Sequence, residues 1–286
     1  MEPSVAAAFD GLVFHYTKAS TALEHILESM TIRLGPILQT HDPSEGHREY
    51  TGYSAVDIGP PDFASWDKVD EVAKRARIAC FCQDGELSSP DPCALDFAPP
   101  WAGWARDRMW SQYAGGHTGV CLAFDLRKLV DAFHAALADR GERFAQGVTY
   151  SDDPVSYAGP RSLSYDNLRI QRVGAEKYAA EYRRQHALTL YLTKRLDYSG
   201  EREFRLVLLD DDVSGSDALV PIRGALVYVM LGDRFQREYL PSVDEIMRRE
   251  GLPAYQLRYE SGRNVAAYRH FASDQDSLRP LPVRTG

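Results

Sequence analysis

The sequence predicts an α+β fold, a mixed and mainly antiparallel sheet with flanking helices, on three observations. Apolar runs of strand length outnumber long amphipathic helices, and the two do not alternate as β-α-β-α along the chain. No GxGxxG or GxxxxGK[ST] segment opens a helix after a strand, which removes the Rossmann and P-loop sheets. With 286 residues, 44% hydrophobic and 26% charged, the chain can bury a sizeable core. It has no internal repeat and no clean linker, so a single domain over 1–286 is expected, with its core at about 10–260 and a loose tail at 273–286.

The elements follow in order. Gly11–Thr17 is a strand ending in the polar triplet His15-Tyr16-Thr17. Thr21-x-x-Glu24 has the form of a capping box, and Leu23, Ile26, Leu27 and Met30 make one helical stripe. Thr31–Leu34 is a short strand, and the polar stretch 35–61 that follows carries His41, Asp42, Glu45 and His47. A helix is expected over Phe63–Arg77, a buried strand over Ile78–Cys82 and a short helix over Arg106–Tyr113, ended by Gly115-Gly116. The strand Gly119–Phe124 leads to Asp125, an N-cap for the helix Leu126–Ala138. Then come a strand at Phe144–Tyr150, a helix at Ala175–Thr193, strands at Glu201–Leu209 and Ala225–Leu231, a helix at Ser242–Glu250 and a last strand at Pro253–Tyr259. Asp210-Asp211-Asp212 reads as loop.

Composition narrows the function. A net charge of −8 argues against a general nucleic-acid binder. The basic run from Arg183 to Arg205 is either a solvated helix face or a groove for phosphates. Four cysteines without C-x-x-C spacing predict buried thiols rather than zinc, and no metal site is expected. No run approaches the roughly eighteen apolar residues of a membrane span, and no signal peptide is visible, so a cytoplasmic protein without a membrane partner is expected.

Two segments carry candidate chemistry. His15-Tyr16-Thr17 lies at a strand exit, and under period two Glu201, Glu203 and Arg205 share one strand face. Met109-Trp110-Ser111-Gln112-Tyr113, with His117-Thr118-Gly119-Val120-Cys121, lies between them in sequence. Each also has an ordinary role: His15 as a satisfied strand-end histidine, the acidic strand as a salt-bridged face, Trp110 and Tyr113 as core.

Together these motifs resemble a bacterial family catalogued only as a domain of unknown function, over roughly residues 10–235; His41 replaces the family's usual Asn before Asp42-Pro43. Their order is also similar to the ADP-ribosyltransferase fold, particularly to DNA-modifying toxins beginning H-x-T. That resemblance implies a split-sheet core, NAD as substrate, and transfer of ADP-ribose to a nucleic-acid or protein acceptor in a toxin or antiphage defence setting. It implies Glu203 as the catalytic carboxylate, with Glu201 one strand period away. It implies His15, with Tyr16, Thr17, Trp110, Tyr113, His117 and Arg205, on the NAD side. Periodicity does not choose between Glu201 and Glu203; the order of motifs favours Glu203. The alternatives are a metal-dependent nuclease or phosphoesterase using the His41–His47 loop with the two glutamates, and a non-catalytic nucleotide-sensing or interaction domain.

Overall fold

The computed structural model describes residues 11–40, 42, 45, 62–85, 102–152, 163–212, 214–260 and 262–269. In chain order the elements are β1 (Leu12–Thr17), α1 (Thr21–Leu27, wound as a π-helix), β2 (Thr31–Pro36), α2 (Phe63–Ala73) and β3 (Ala76–Gln83). Next are α3 (Asp107–Gln112), β4 (Val120–Asp125), α4 (Leu126–Ala136), β5 (Gly141–Gly147), β6 (Thr149–Tyr150) and α5 (Asn167–Val173). They are followed by α6 (Ala175–Gln185), α7 (Ala187–Tyr191), β7 (Thr193–Lys194), β8 (Glu203–Asp210) and β9 (Ala218–Pro221). The last are β10 (Leu226–Leu231), α8 (Leu240–Glu250), β11 (Ala254–Glu260) and β12 (Arg263–Arg269). This is an α+β chain with mainly antiparallel strands and flanking helices. Among the described residues no helix is long and apolar enough to cross a membrane.

The contacts divide the chain into two compact units. The first comprises Met1–Ile32, Phe81–Ala136 and Val220–Gly286, with strand order β12-β11-β10-β4-β1-β3. Every neighbouring pair whose register is defined is antiparallel except β10 with β11. The centre is β4, whose Val120–Phe124 run is buried on both faces, as suits a strand flanked by β1 and β10. Leu126, Leu129, Val130 and Phe133 form the buried stripe of α4, and Asp125 Oδ1 caps it by accepting from Lys128 N at 3.0 Å.

The second unit comprises Arg33–Cys80 and Leu137–Leu219. Here β8 pairs with β5 along its whole length, from Gly141↔Asp210 to Gly147↔Phe204, and also with β3. The core is aromatic: Trp66 from α2, Tyr165, Tyr178 and Tyr182 from α6, and Tyr191 from α7 pack with Val207 and Leu209 of β8.

Several expectations change. Thr21-x-x-Glu24 makes no side-chain cap bond; the cap position is Ser20 in helical conformation, so the helix has begun before the motif. The expected helix 175–193 is interrupted at His186, and the basic run divides: Arg184 and Arg195 are exposed, whereas three others are not. Arg183, Lys194 and Arg205 are buried against carboxylates and carbonyls. Asp210 is no loop residue: it is 2% exposed at the end of β8 and ion-paired to Arg77 and Arg140. A further strand, β12, follows β11. Cys80, Cys82 and Cys121 form no disulfide; Cys93, His41, His47 and the tail lie outside the described residues.

Candidate functional site

Of the nine residues picked out in the sequence, six fall in the first unit (His15, Tyr16, Thr17, Trp110, Tyr113, His117) and three in the second (Glu201, Glu203, Arg205). Each group forms a cluster within its own unit.

In the second unit the decisive local event is Arg202. Its φ of +46° is left-handed, a conformation that a strand cannot contain. It ends a 3₁₀ turn over Leu196–Glu201, so β8 begins at Glu203 and Glu201 lies outside the strand. The period-two argument that placed Glu201 beside Glu203 therefore fails, yet the turn still brings both carboxylates to one cation. Lys194 Nζ lies 2.8 Å from Glu201 Oε2 and 3.1 Å from Glu203 Oε2, over the Tyr198 ring. Arg205 does follow Glu203 on one strand face. Its Nε donates to Glu203 Oε1 at 2.7 Å and its Nη2 to Glu203 Oε2 at 3.0 Å, a bidentate fork. Nη1 donates to the Tyr191 carbonyl at 2.7 Å, and Nη2 also to Glu45 Oε1 at 2.5 Å. The Glu203 backbone N donates to Tyr150 Oη at 2.8 Å.

This cluster is buried, with Arg205 at 0% exposure and Glu203 at 5%. Burial pushes the Glu203 carboxyl up, but the Arg205 charge and hydrogen bonds, helped by Lys194, overcome it and bring the value down to about 2. Burial alone would lower Lys194; the charges of Glu203, Glu201 and Glu45 raise it instead. The phenol of Tyr150 is pushed up to about 12, chiefly by burial, and the Cys80 thiol is raised by burial and by the Glu203 charge. The result is a buried array of three carboxylates and two cations in which Arg205 and Lys194 hold Glu203 in its ionised form.

In the first unit His15 and Tyr16 alternate across β1. The His15 ring, half-buried, lies 5.7 Å from Phe81. Tyr16 joins a second core, its hydroxyl donating to the Gly103 carbonyl at 2.5 Å and its ring meeting Trp110 edge-on at 5.2 Å. Thr17 is buried at the strand end. Trp110 has no exposure: its Nε1 donates to the Trp104 carbonyl at 2.8 Å, and its ring stacks on His117 at 6.1 Å. It thus presents no open face to a ligand, whereas Tyr113 and His117 are half-exposed. His117 adopts a left-handed φ of +71° in a tightly held turn. A Cβ on Gly119 would lie 2.2 Å from the Thr17 carbonyl oxygen, and one on Gly232 would lie 2.1 Å from that of His117. Only glycine permits those approaches.

The sequence joined Glu45 to the two glutamates only as part of a metal loop, and Lys194 only as one charge of a basic run; neither reading gave these ion pairs. Lys194 is seven residues from Glu201 across a turn, and Glu45 is 160 residues from Arg205, so no local period joins them. Among the described residues no three His, Cys, Asp or Glu side chains converge to hold a metal ion; of the proposed metal loop only Asp42 and Glu45 are described.

No curated protein and no solved structure matches the chain. A family model described as a protein of unknown function (DUF2971) matches residues 109–206, the stretch that holds Trp110, Tyr113, His117, Lys194, Glu201, Glu203 and Arg205.

Proposed function

We propose that this protein is an NAD-cleaving enzyme of the ADP-ribosyltransferase kind, with Glu203 as its carboxylate. The observation that supports it is the ionised state of Glu203, held at about 2 by Arg205 and Lys194. Cleaving the nicotinamide–ribose bond builds positive charge on the ribose, and a fixed anion stabilises that charge without reorganising. A carboxylate this acidic is a weak base, so its part is electrostatic. The acceptor is a nucleic acid or a protein, in keeping with a toxin or defence effector.

One observation favours a second reading, a non-catalytic nucleotide-sensing or interaction domain: both Glu203 oxygens are already engaged by Arg205 and Lys194. Nicotinamide release from NAD by the purified chain, with and without cell lysate, separates the two. The enzyme reading expects turnover that falls at least tenfold in Glu203→Gln, with NAD binding retained where that variant folds. NAD binding without turnover under every condition supports the sensing domain. Neither binding nor turnover would sink the transferase reading.

A further inference from the structure

Within the second unit a cavity of about 30 Å³ is lined by residues of α2, α6 and α7. Glu45, Asp70, Tyr165, Tyr182 and Tyr191 contribute to its wall, as does the exposed Lys74. Glu45 is the anomaly there. Its side chain has 0% exposure, and Oε1 accepts from Arg205 Nη2, but among the described residues the buried Oε2 has no hydrogen-bond partner. A carboxyl oxygen buried without a hydrogen-bond partner is costly, and native structures seldom leave one so. Neither neighbouring cation is placed to serve it. Arg205 divides its donors among Glu203, Tyr191 and the other Glu45 oxygen, and Lys194 is held by Glu201 and Glu203. Glu45, Glu201 and Glu203 are thus set against two cations, and Asp70 adds a further carboxylate at the cavity wall. Even with the exposed Lys74 counted, four carboxylates face three cations, so the array is short of a positively charged donor.

The tyrosines fit such a guest. The Tyr182 and Tyr191 hydroxyls donate to the Leu163 and Ala73 carbonyls, and Tyr165 donates to Asp70. Each phenolic oxygen therefore has acceptor capacity left, and the rings favour an organic cation over a neutral group. At roughly 10–15 Å³ for each water-sized site, the cavity takes a head group of about two heavy atoms. That is an ammonium with its first methylene, and it is too small for a ring.

We propose that this cavity binds the primary ammonium group of a small alkylamine, with Glu45 Oε2 and the Asp70 carboxylate as its acceptors. The site is independent of the NAD reading. Lys74 opposes the guest by like charge, so Lys74→Ala tightens binding, more so at low salt.

The test is calorimetric titration of the full chain with propylamine and with 1,4-diaminobutane, using 1,4-butanediol as the uncharged match. Saturable amine binding with a raised melting temperature, and none with the diol, is expected. Asp70→Asn, which keeps an oxygen for Tyr165, weakens binding at least tenfold while the fold is kept. Glu45→Gln abolishes binding, and its melting temperature reports whether that variant folds. The proposal is overturned if the amines bind no better than the diol. It is also overturned if Asp70→Asn and a folded Glu45→Gln both bind amine as the parent does.

Discussion

Replacing Glu203 by Gln removes the one carboxylate that lies between two buried cations, and its cost follows from the geometry. The carboxyl falls from the ordinary 4.5 to about 2 in the folded chain. At about 1.36 kcal/mol per pKa unit, the folded state prefers the anion by roughly 3 kcal/mol. Because the folded value lies below the unfolded one, this stabilisation is complete above about pH 4.5 and is lost as pH falls through the folded value near 2. The variant forgoes it and leaves Arg205 and Lys194 undercompensated, so the loss at pH 7 is expected at about 3–5 kcal/mol. Urea unfolding of both proteins, from pH 7 down in half-unit steps, reads it directly. Other carboxylates titrate in both chains, so the difference between the two curves is the quantity to follow. It should be flat from pH 7 to about 5 and then shrink toward pH 2. A difference below about 1 kcal/mol at pH 7, or one that does not change with pH, would refute the ion-paired account of Glu203.

Lys194→Met should destabilise by about 2–4 kcal/mol, and the double variant with Glu203→Gln by less than the sum of the two, as denaturant midpoints would show. Gly232→Ala places a methyl 2.1 Å from the His117 carbonyl oxygen and should cost at least about 2 kcal/mol in thermal unfolding. Trp110→Phe strands the Trp104 carbonyl and opens a small void, for about 2–3 kcal/mol by urea denaturation. Asp210→Asn weakens the pairing of Arg77 and Arg140 and should lower stability by about 2–4 kcal/mol at neutral pH, against near-parental stability if these pairs were solvent-screened. EDTA should leave NAD turnover unchanged; phosphoester cleavage that EDTA abolishes, without NAD turnover, would instead support the metal-loop alternative.

Local signals determined a good part of this protein. The buried run of β4, the Asp125 cap, the helix that begins at Leu126 and the strand β1 are written within a few neighbouring residues, and the structure keeps them within a residue or two. Their number and order also sufficed for the α+β class. What only tertiary structure decided depends on residues far apart in sequence or on a single backbone angle. Arg202 turning left-handed moved Glu201 off the strand, an event no side-chain period records. The fate of the basic run was set by partners elsewhere: Asp211 for Arg183, and Glu45 together with Glu203 for Arg205. Whether Trp110 offers a face to a ligand depended on His117 and Tyr16 covering it from two other segments. Period and capping act over one or two turns of chain, whereas burial of charge and aromatic surface is settled by whichever distant segment covers it.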